Sequence, residues 1–187
     1  QNIPGFKVHA KLLLIRRKEK GENIYYANIS TGNFNESTAK LYSDDSMLTC
    51  DQGLCQDVNN VFHLFESKYI PPTFNELQVA PFKLRPFFQK MMNREIQNAR
   101  AGKKAWVTLK LNNLVDTKVI NKLYLAGKAG VKITLIIRGI CVLKAGVPGL
   151  SDNIEAFGVV DRFLEHSRVF AFSNEGKAEV FLASADL

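Results

Sequence analysis

A repeated pattern of strand, turn and strand constrains this chain more than any other feature of its sequence. The first copy begins at His9-Ala10-Lys11 and returns, through two apolar runs and a charged turn, to Ser30-Thr31-Gly32-Asn33. The second copy begins at His166-Ser167-Arg168 and ends at Ser184-Ala185-Asp186. Each copy is typical of a β-hairpin, whose two open ends lie side by side. We therefore expect each histidine and its cation to meet the polar cluster at the other end of the same hairpin.

Two copies of this unit predict a site with approximate twofold symmetry, in which two histidines face one polyanion-sized cleft between the segments. A lone histidine at the start of a strand is typical of a structural residue. The repeated frame, with a cation two residues later, favours catalysis by His9 and His166 instead. A neutral imidazole is a good nucleophile near pH 7. His63 has no such frame and is interpreted as a surface residue.

The charge of the chain favours acidic partners. The formal net charge is +7 and the pI is near 9.3, which suits nucleic acid, nucleotides, phosphate chains or anionic lipid, although a mildly basic surface without any ligand is the alternative. No apolar stretch approaches the roughly 18 residues of a membrane span, and no basic-then-apolar leader follows Gln1. We expect a cytoplasmic protein, with a peripheral membrane association compatible with its charge.

The cysteines indicate neither a disulfide scaffold nor a metal site. The chain has three of them, Cys50, Cys55 and Cys141, which is typical of a reducing compartment. Cys50 and Cys55 could be combined with His63 as zinc ligands, but the spacing is poor and a fourth ligand is missing. We expect free thiols and no metal ligands.

A proline-rich break at Ile70-Pro71-Pro72-Thr73 predicts two domains, 1–72 and 73–187. The first should contain strands over 7–16 and 24–30 and a helix over 54–67. The second should contain helices over 84–101 and 116–127, strands over 106–111 and 131–137, a short helix capped by Ser151-Asp152, and the final hairpin. This order predicts a mixed α/β sheet with ligands beyond the carboxyl ends of its strands, where Asn112, Asn113 and Arg138 lie.

Several long motifs resemble one family over essentially all 187 residues: Phe6 to Leu12, Ser30 to Glu36, Thr108 to Asp116, Ser151 to Ile154, and Val160 to His166. They are similar to the bacterial polyphosphate kinases that synthesise long chains. The resemblance implies an α/β fold with phospholipase D-like mixed sheets and helices in two partial repeats. Residues 1–72 would be the C-terminal part of the first catalytic domain, and residues 73–187 the N-terminal part of the second.

The resemblance also implies roles for particular residues. His9 matches the histidine that becomes phosphorylated, and His166 matches the second catalytic histidine. Tyr42 and Arg138 match residues that contact ATP. Beside these implied roles, the sequence itself offers three cations, Lys11, Arg138 and Arg168, to bind phosphate, because phosphoryl transfer depends on positioning and positive charge.

One of the two acids Asp44 and Asp45 is a further candidate, since an acid commonly orients a catalytic histidine through its other ring nitrogen. The alternative is that both acids lie in a solvated turn.

The expected function is reversible transfer of the terminal phosphate of ATP to inorganic polyphosphate through a phosphohistidine. ATP, ADP and polyphosphate would be the ligands, nucleic acid would not be one, and the full-length enzyme would be a magnesium-dependent homo-oligomer. The family's magnesium- and phosphate-binding arginines, which lie upstream of the first histidine, have no counterpart here. Both ends of the repeat also look truncated. We therefore expect a fragment that is inactive alone and whose magnesium ligands lie outside it.

Two alternative functions are open. A phospholipase D-like phosphodiesterase would carry an acid at position 16, where this chain has Arg16. A noncatalytic module that binds polyanions would suit the net charge, but the chain lacks the interleaved aromatic and basic residues of single-strand binders.

Overall fold

Two sheets, one from each half of the chain, form the framework of the fold. The structure is a computed structural model that describes residues 7–66 and 72–187. Its strands and helices, in chain order, are β1 Lys11–Glu19, β2 Glu22–Ser30, α1 Glu36–Ala39, β3 Tyr42–Ser43, β4 Ser46–Thr49, α2 Gln52–Glu66, α3 Leu84–Arg100, β5 Trp106–Leu111, α4 Thr117–Lys128, β6 Lys132–Ile137, β7 Ile154–Gly158, β8 Leu164–Glu165, β9 Arg168–Phe172 and β10 Glu179–Ala183. The mixed α/β class predicted from the sequence is confirmed.

The first sheet is antiparallel, with strand order β1-β2-β4. Its hairpin turns at Lys20-Gly21, where both residues have positive φ values of 49° and 90°. The register places Lys11 opposite Ser30 at the open end, as the repeat predicts. One face of the sheet packs on α2 around the buried side chains of Ala27 and Val58. Burial of these apolar side chains fixes which face of the hairpin turns inward.

The second sheet has strand order β10-β9-β5-β6-β7. Strands β5, β6 and β7 run parallel, and β9 and β10 form the antiparallel second hairpin. Alternate residues of β5 and β6 are buried in the main core beneath α3 and α4, which accounts for their alternating exposure. Asp116 caps α4 by accepting hydrogen bonds from Lys118 N and Val119 N. Gly102, with φ 70°, follows the end of α3.

Two details of the sequence interpretation are wrong. Ser151-Asp152 does not cap a helix: Ser151 closes a turn, donating to Lys144 O and accepting from Val147 N, and the chain then enters β7. β7 pairs in parallel with β6, and this tertiary pairing outweighs the local capping signal. The first strand begins at Lys11 rather than at residue 7, so His9 lies just before it. Two of the four residues of the predicted boundary, Ile70 and Pro71, lie outside the described residues.

Two sets of backbone hydrogen bonds are among the contacts that join the halves. β3 pairs in parallel with β8, so that Tyr42 lies opposite Leu164 and Ser43 opposite Glu165. The carboxylate of Asp57 on α2 accepts hydrogen bonds from the backbone N–H groups of residues 75–77, at 2.7 to 2.9 Å. The first half therefore binds two parts of the second half: residues 75–77, near its start, and β8, which precedes His166. Within the described residues, no helix is both long and apolar enough to cross a membrane.

Candidate active site

The two repeated histidines meet where the two halves join. The ring centroids of His9 and His166 are 6.0 Å apart, and the ring planes are tilted by 59°. His9 lies immediately before β1, and His166 lies between β8 and β9. The pairing of β3 with β8 draws the second histidine towards the first half, because His166 N donates to Ser43 O at 3.3 Å. Two residues far apart in the sequence thus form one pair.

His9 has a cation against its ring. The ammonium group of Lys11 lies 3.0 Å from each ring nitrogen of His9 and donates to its carbonyl oxygen at 2.9 Å. The pKa of His9 is lowered from its usual value, first by burial and then by the charge of Lys11, with smaller contributions from Arg168 and His166. A hydrogen bond with the backbone of Ser184 acts in the opposite direction. The surroundings therefore favour the neutral, nucleophilic ring.

A cleft of about 290 Å³ opens at His9 and Lys11, with Asn33 and Phe34 also lining it. All of its lining residues belong to the first half of the chain. The two histidine rings lie together as expected, but this cleft does not lie between the two segments. Half-buried His9 lines this cleft, and its ring is also the one that lies next to His166. A phosphate group entering here would meet an imidazole and an ammonium group together.

His166 is bound to a carboxylate instead of a cation. Its Nδ1 lies 2.7 Å from Asp44 Oδ1, and its side chain is only 8% exposed. The same oxygen of Asp44 accepts a hydrogen bond from the hydroxyl of Thr31 at 2.8 Å. Because a carboxylate only accepts hydrogen bonds, it holds the proton of His166 on Nδ1 and leaves Nε2 for a substrate. Of the two candidate acids, Asp44 makes this contact, whereas the backbone of Asp45 bonds to Thr31.

Tyr42 lies beside the second histidine. Its ring centroid is 5.1 Å from that of His166, and the rings are tilted by 53°. Since Tyr42 is a residue of β3, the pairing of β3 with β8 also fixes this contact. The structure therefore brings together four of the residues singled out in the sequence: His9, His166, Lys11 and Tyr42.

Arg168 is close to the pair but is already engaged. Its side chain is 7% exposed, its Nε donates to Asp186 at 3.0 Å, and its Nη1 donates to the carbonyl of His166 at 2.6 Å. Asp186 also accepts hydrogen bonds from Asn112 N and Asn113 N, at the carboxyl end of β5. Arg168 thus ties the second hairpin to the central strands while lowering the pKa of His9.

Arg138 follows β6, beside the end of β5, where its backbone N donates to Leu111 O at 3.2 Å. Its Nε is buried and has no hydrogen-bond partner in the protein. A buried guanidinium nitrogen that lacks a partner suits an anionic ligand, because an arginine fork matches phosphate geometry. Arg138 therefore has donor capacity that no group among the described residues uses.

Potential metal ligands do not cluster among the described residues. Among them, no three histidine, cysteine, aspartate or glutamate side chains cluster in a way that could hold a metal ion. Asp44 and Asp186 are already bound to His166 and Arg168. Cys50 and His63 are exposed on the surface, and Cys55 is buried in the first half.

Sequence reasoning missed two contacts that support the histidines: the hydroxyl of Thr31, which binds Asp44, and the backbone of Ser184, which binds His9. Both lie in the polar clusters that end the repeats, so the clusters themselves were a signal. The expectation was that each cluster would meet its own histidine. The structure instead connects the Thr31 cluster to His166 through Asp44, and connects Ser184 to His9.

Comparisons with known proteins match both halves of the chain to one family. Residues 1–71 match the family model described as polyphosphate kinase C-terminal domain 1, and residues 77–187 match the model of C-terminal domain 2. The chain is 53% identical to a polyphosphate kinase of Vibrio cholerae over 98% of its length, and 50% identical to one of Escherichia coli K12 over 99%. These matches cover 26% and 27% of those relatives, so the chain spans about a quarter of their length.

A solved structure shows the same likeness. The crystal structure of polyphosphate kinase from Porphyromonas gingivalis superposes with a TM-score of 0.90 at 43% identity, and the match covers 99% of this chain and 31% of that one.

Proposed function

This chain belongs to the polyphosphate kinase family, and we propose that it forms the histidine centre of an enzyme that reversibly transfers the terminal phosphate of ATP to inorganic polyphosphate. The observation that carries the proposal is the pair of histidine rings, 6.0 Å apart, with a cation against one ring and a carboxylate against the other. Such a difference suits one nucleophile and one group that handles a proton or hydrogen bond.

In the first step, a neutral ring nitrogen of His9 attacks the γ-phosphorus of ATP. The P–N bond forms as the bond from phosphorus to the β,γ-bridging oxygen breaks, and ADP leaves with that electron pair. In the second step, a terminal oxygen of polyphosphate attacks the phosphorus, the P–N bond breaks, and the chain is longer by one phosphate. The lowered pKa of His9 keeps its ring neutral, and therefore nucleophilic, at neutral pH.

His166 acts as acid and base or as a hydrogen-bond donor at the oxygens that gain and lose charge. Asp44 holds the Nδ1 proton, which leaves Nε2 available to a substrate. Lys11 and Arg138 supply positive charge for the transferring phosphate, and Tyr42 contacts the nucleotide beside His166. Arg168 contributes charge from behind the pair, since its guanidinium is bound to Asp186. Positive charge placed in advance is commonly the largest contribution to catalysis of this type.

The remaining parts of the proposal concern the whole protein. It would use Mg²⁺ bound by residues outside this chain, assemble as a homo-oligomer, and act in the cytoplasm, with a peripheral membrane association compatible with its net charge of +7. The 187-residue chain alone should be inactive, because losing even one preorganised donor costs about 100- to 1000-fold in rate.

Incubation of the full-length protein with γ-labelled ATP tests the proposal. We expect label on the protein that is labile in acid and stable in base, followed by label in long phosphate chains. A phospholipase D-like phosphodiesterase would instead hydrolyse diesters without taking up the γ-label, and a polyanion-binding module would do neither. Absence of both labels from a folded full-length enzyme would refute the phosphotransferase.

A further inference from the structure

We propose that Thr31 is a positioning residue for His166, acting across the two halves of the chain through Asp44; this rests on the proposed function. The hydroxyl of Thr31 donates to Asp44 Oδ1 at 2.8 Å, and the same oxygen contacts His166 Nδ1 at 2.7 Å. One carboxylate oxygen therefore receives one hydrogen bond from each half. The relay Thr31–Asp44–His166 fixes the orientation of the second histidine ring.

The position of the Thr31 hydroxyl is fixed by its own backbone contacts. Thr31 lies directly after β2 and is only 5% exposed. Its N–H donates to Asp45 O at 2.9 Å, and its Oγ1 accepts from Asp45 N at 2.9 Å. The carbonyl oxygen of Asp45 lies 3.5 Å from Oγ1, much farther than Asp44 Oδ1. The single hydroxyl proton is therefore directed to the carboxylate of Asp44.

Gly32 limits the movement of the same carboxylate. A Cβ added at Gly32 would lie 2.7 Å from both Cβ and Oδ2 of Asp44, closer than real side-chain carbons approach one another. The bare backbone of Gly32 therefore packs against Asp44 while Thr31 binds it. The two neighbouring residues act together: one supplies a hydrogen bond, and the other leaves the space that the carboxylate occupies.

The contact crosses from one repeat to the other. The polar cluster that ends the first hairpin orients the histidine that begins the second, whereas the backbone of Ser184, in the second cluster, binds His9. Neither hairpin contains the complete surroundings of its own histidine. We therefore expect that loosening the first cluster will impair the role of His166 without removing the His9 nucleophile.

The substitution Thr31→Val in the full-length enzyme removes the hydroxyl and keeps the shape of the side chain. We expect kcat to fall roughly 10- to 100-fold, because small misplacements of a catalytic group cost up to about that much. The KM for ATP should stay within about twofold, since Thr31 is not proposed to touch the nucleotide. Thr31→Ser, which retains the hydroxyl, should restore most of kcat. Thr38→Val is the matched control, because it removes a half-buried threonine hydroxyl that, among the described residues, donates to Asn35 O and not to a carboxylate.

A double-mutant cycle with Asp44→Asn tests whether Thr31 acts through Asp44. In that background Thr31→Val should cost less than about twofold, since coupled residues give non-additive effects. Thr31→Ala, which also removes the hydroxyl, is a second variant should Thr31→Val fail to fold, and it should also lower kcat with little change in KM. A wild-type kcat in Thr31→Val, a Thr31→Ser enzyme as slow as Thr31→Val, or full additivity with Asp44→Asn would overturn the positioning role. The proposed function itself would be overturned only if the wild-type enzyme took up no label from γ-labelled ATP.

Discussion

His9 and His166 begin two copies of the same hairpin, yet their surroundings differ in charge and in depth. His9 is half-buried, with the ammonium group of Lys11 against its ring. His166 is almost fully buried and contacts the carboxylate of Asp44. A cation favours the neutral ring, whereas a carboxylate fixes the proton on one ring nitrogen. The difference indicates that the repeat has supplied two separate chemical roles.

The comparison also shows how the two copies depend on each other. Asp44 comes from the first half and binds the histidine of the second, and the backbone of Ser184 comes from the second half and binds the histidine of the first. The two hairpins are related by approximate symmetry, but the contacts between the halves give their two histidines different surroundings. Experiments that alter one histidine or its partners should reveal the difference between them.

The largest expected effect is at the two histidines themselves. In the full-length enzyme, His9→Ala should abolish the phosphoenzyme and polymer synthesis together, because it removes the nucleophile. His166→Ala should slow polymer synthesis by about 100- to 10,000-fold, the usual contribution of a general acid or base, and should leave some label on His9. Two measurements distinguish the variants: the protein-bound γ-label that survives base but not acid, and the yield of polyphosphate. Equal loss of label in both would contradict separate roles.

The second prediction concerns the docking of the two halves that brings the rings together. Asp57→Ala removes an acceptor from the backbone N–H groups of residues 75–77, so unfolding free energy should fall by about 2 to 3 kcal/mol. Urea denaturation of the 187-residue chain measures this change. Asp51→Ala, which removes only a hydrogen bond to Leu54 N on the same helix, is the control and should cost about 1 kcal/mol. Equal costs would mean that Asp57 does not hold the two halves together.

The third prediction tests the cation beside His9. The pKa of His9 is lowered mainly by burial and then by Lys11, so Lys11→Met should raise that pKa towards its usual value of 6.5. As the pH falls, the ring of His9 would then become protonated at a higher pH. The acidic limb of the pH profile of kcat/KM should therefore shift to higher pH. Loss of a charge near phosphate should also slow turnover by about 10-fold or more. If the acidic limb does not shift in Lys11→Met, then Lys11 does not lower the pKa of His9.

The smallest effect is expected far from the histidines. Asp116 caps α4 and pairs with Arg85 at 2.7 Å, and the hydrogen bond from Arg85 is the main reason that the pKa of Asp116 falls to about 2. Asp116→Asn keeps the cap and loses the ion pair, so it should cost less than about 1 kcal/mol. Because the folded pKa lies below the usual 3.8, this contribution is present above that pH and is lost as the pH falls towards 2. Thermal denaturation at pH 7 and pH 2 checks it, and the variant should keep its phosphotransfer activity.

Local patterns predicted much of this molecule. The two hairpins, the helices α3 and α4 and the buried strands β5 and β6 follow from apolar periodicity. The repeat indicated that two histidines would meet. The false helix at Ser151-Asp152 shows where this reasoning fails, because a turn and a parallel strand pairing outweighed a local capping signal.

The contacts between the halves were beyond prediction from local sequence. β3 and β8 have two residues each, which is too short for a periodic pattern, and their pairing depends on the docked halves. The crossed partners Thr31 and Ser184 follow from that pairing. Asp44 was a candidate only because an acid near a catalytic histidine is common.

The most direct test of the account is to locate the phosphate in the full-length enzyme. The protein would be incubated with ATP and quenched in base, and its phosphopeptides would be sequenced by mass spectrometry under conditions that preserve phosphohistidine. We expect phosphate on His9, both in the wild-type enzyme and when His166 is replaced by alanine. Phosphate on His166 in the wild-type enzyme, or on neither histidine while polymer is being made, would contradict it.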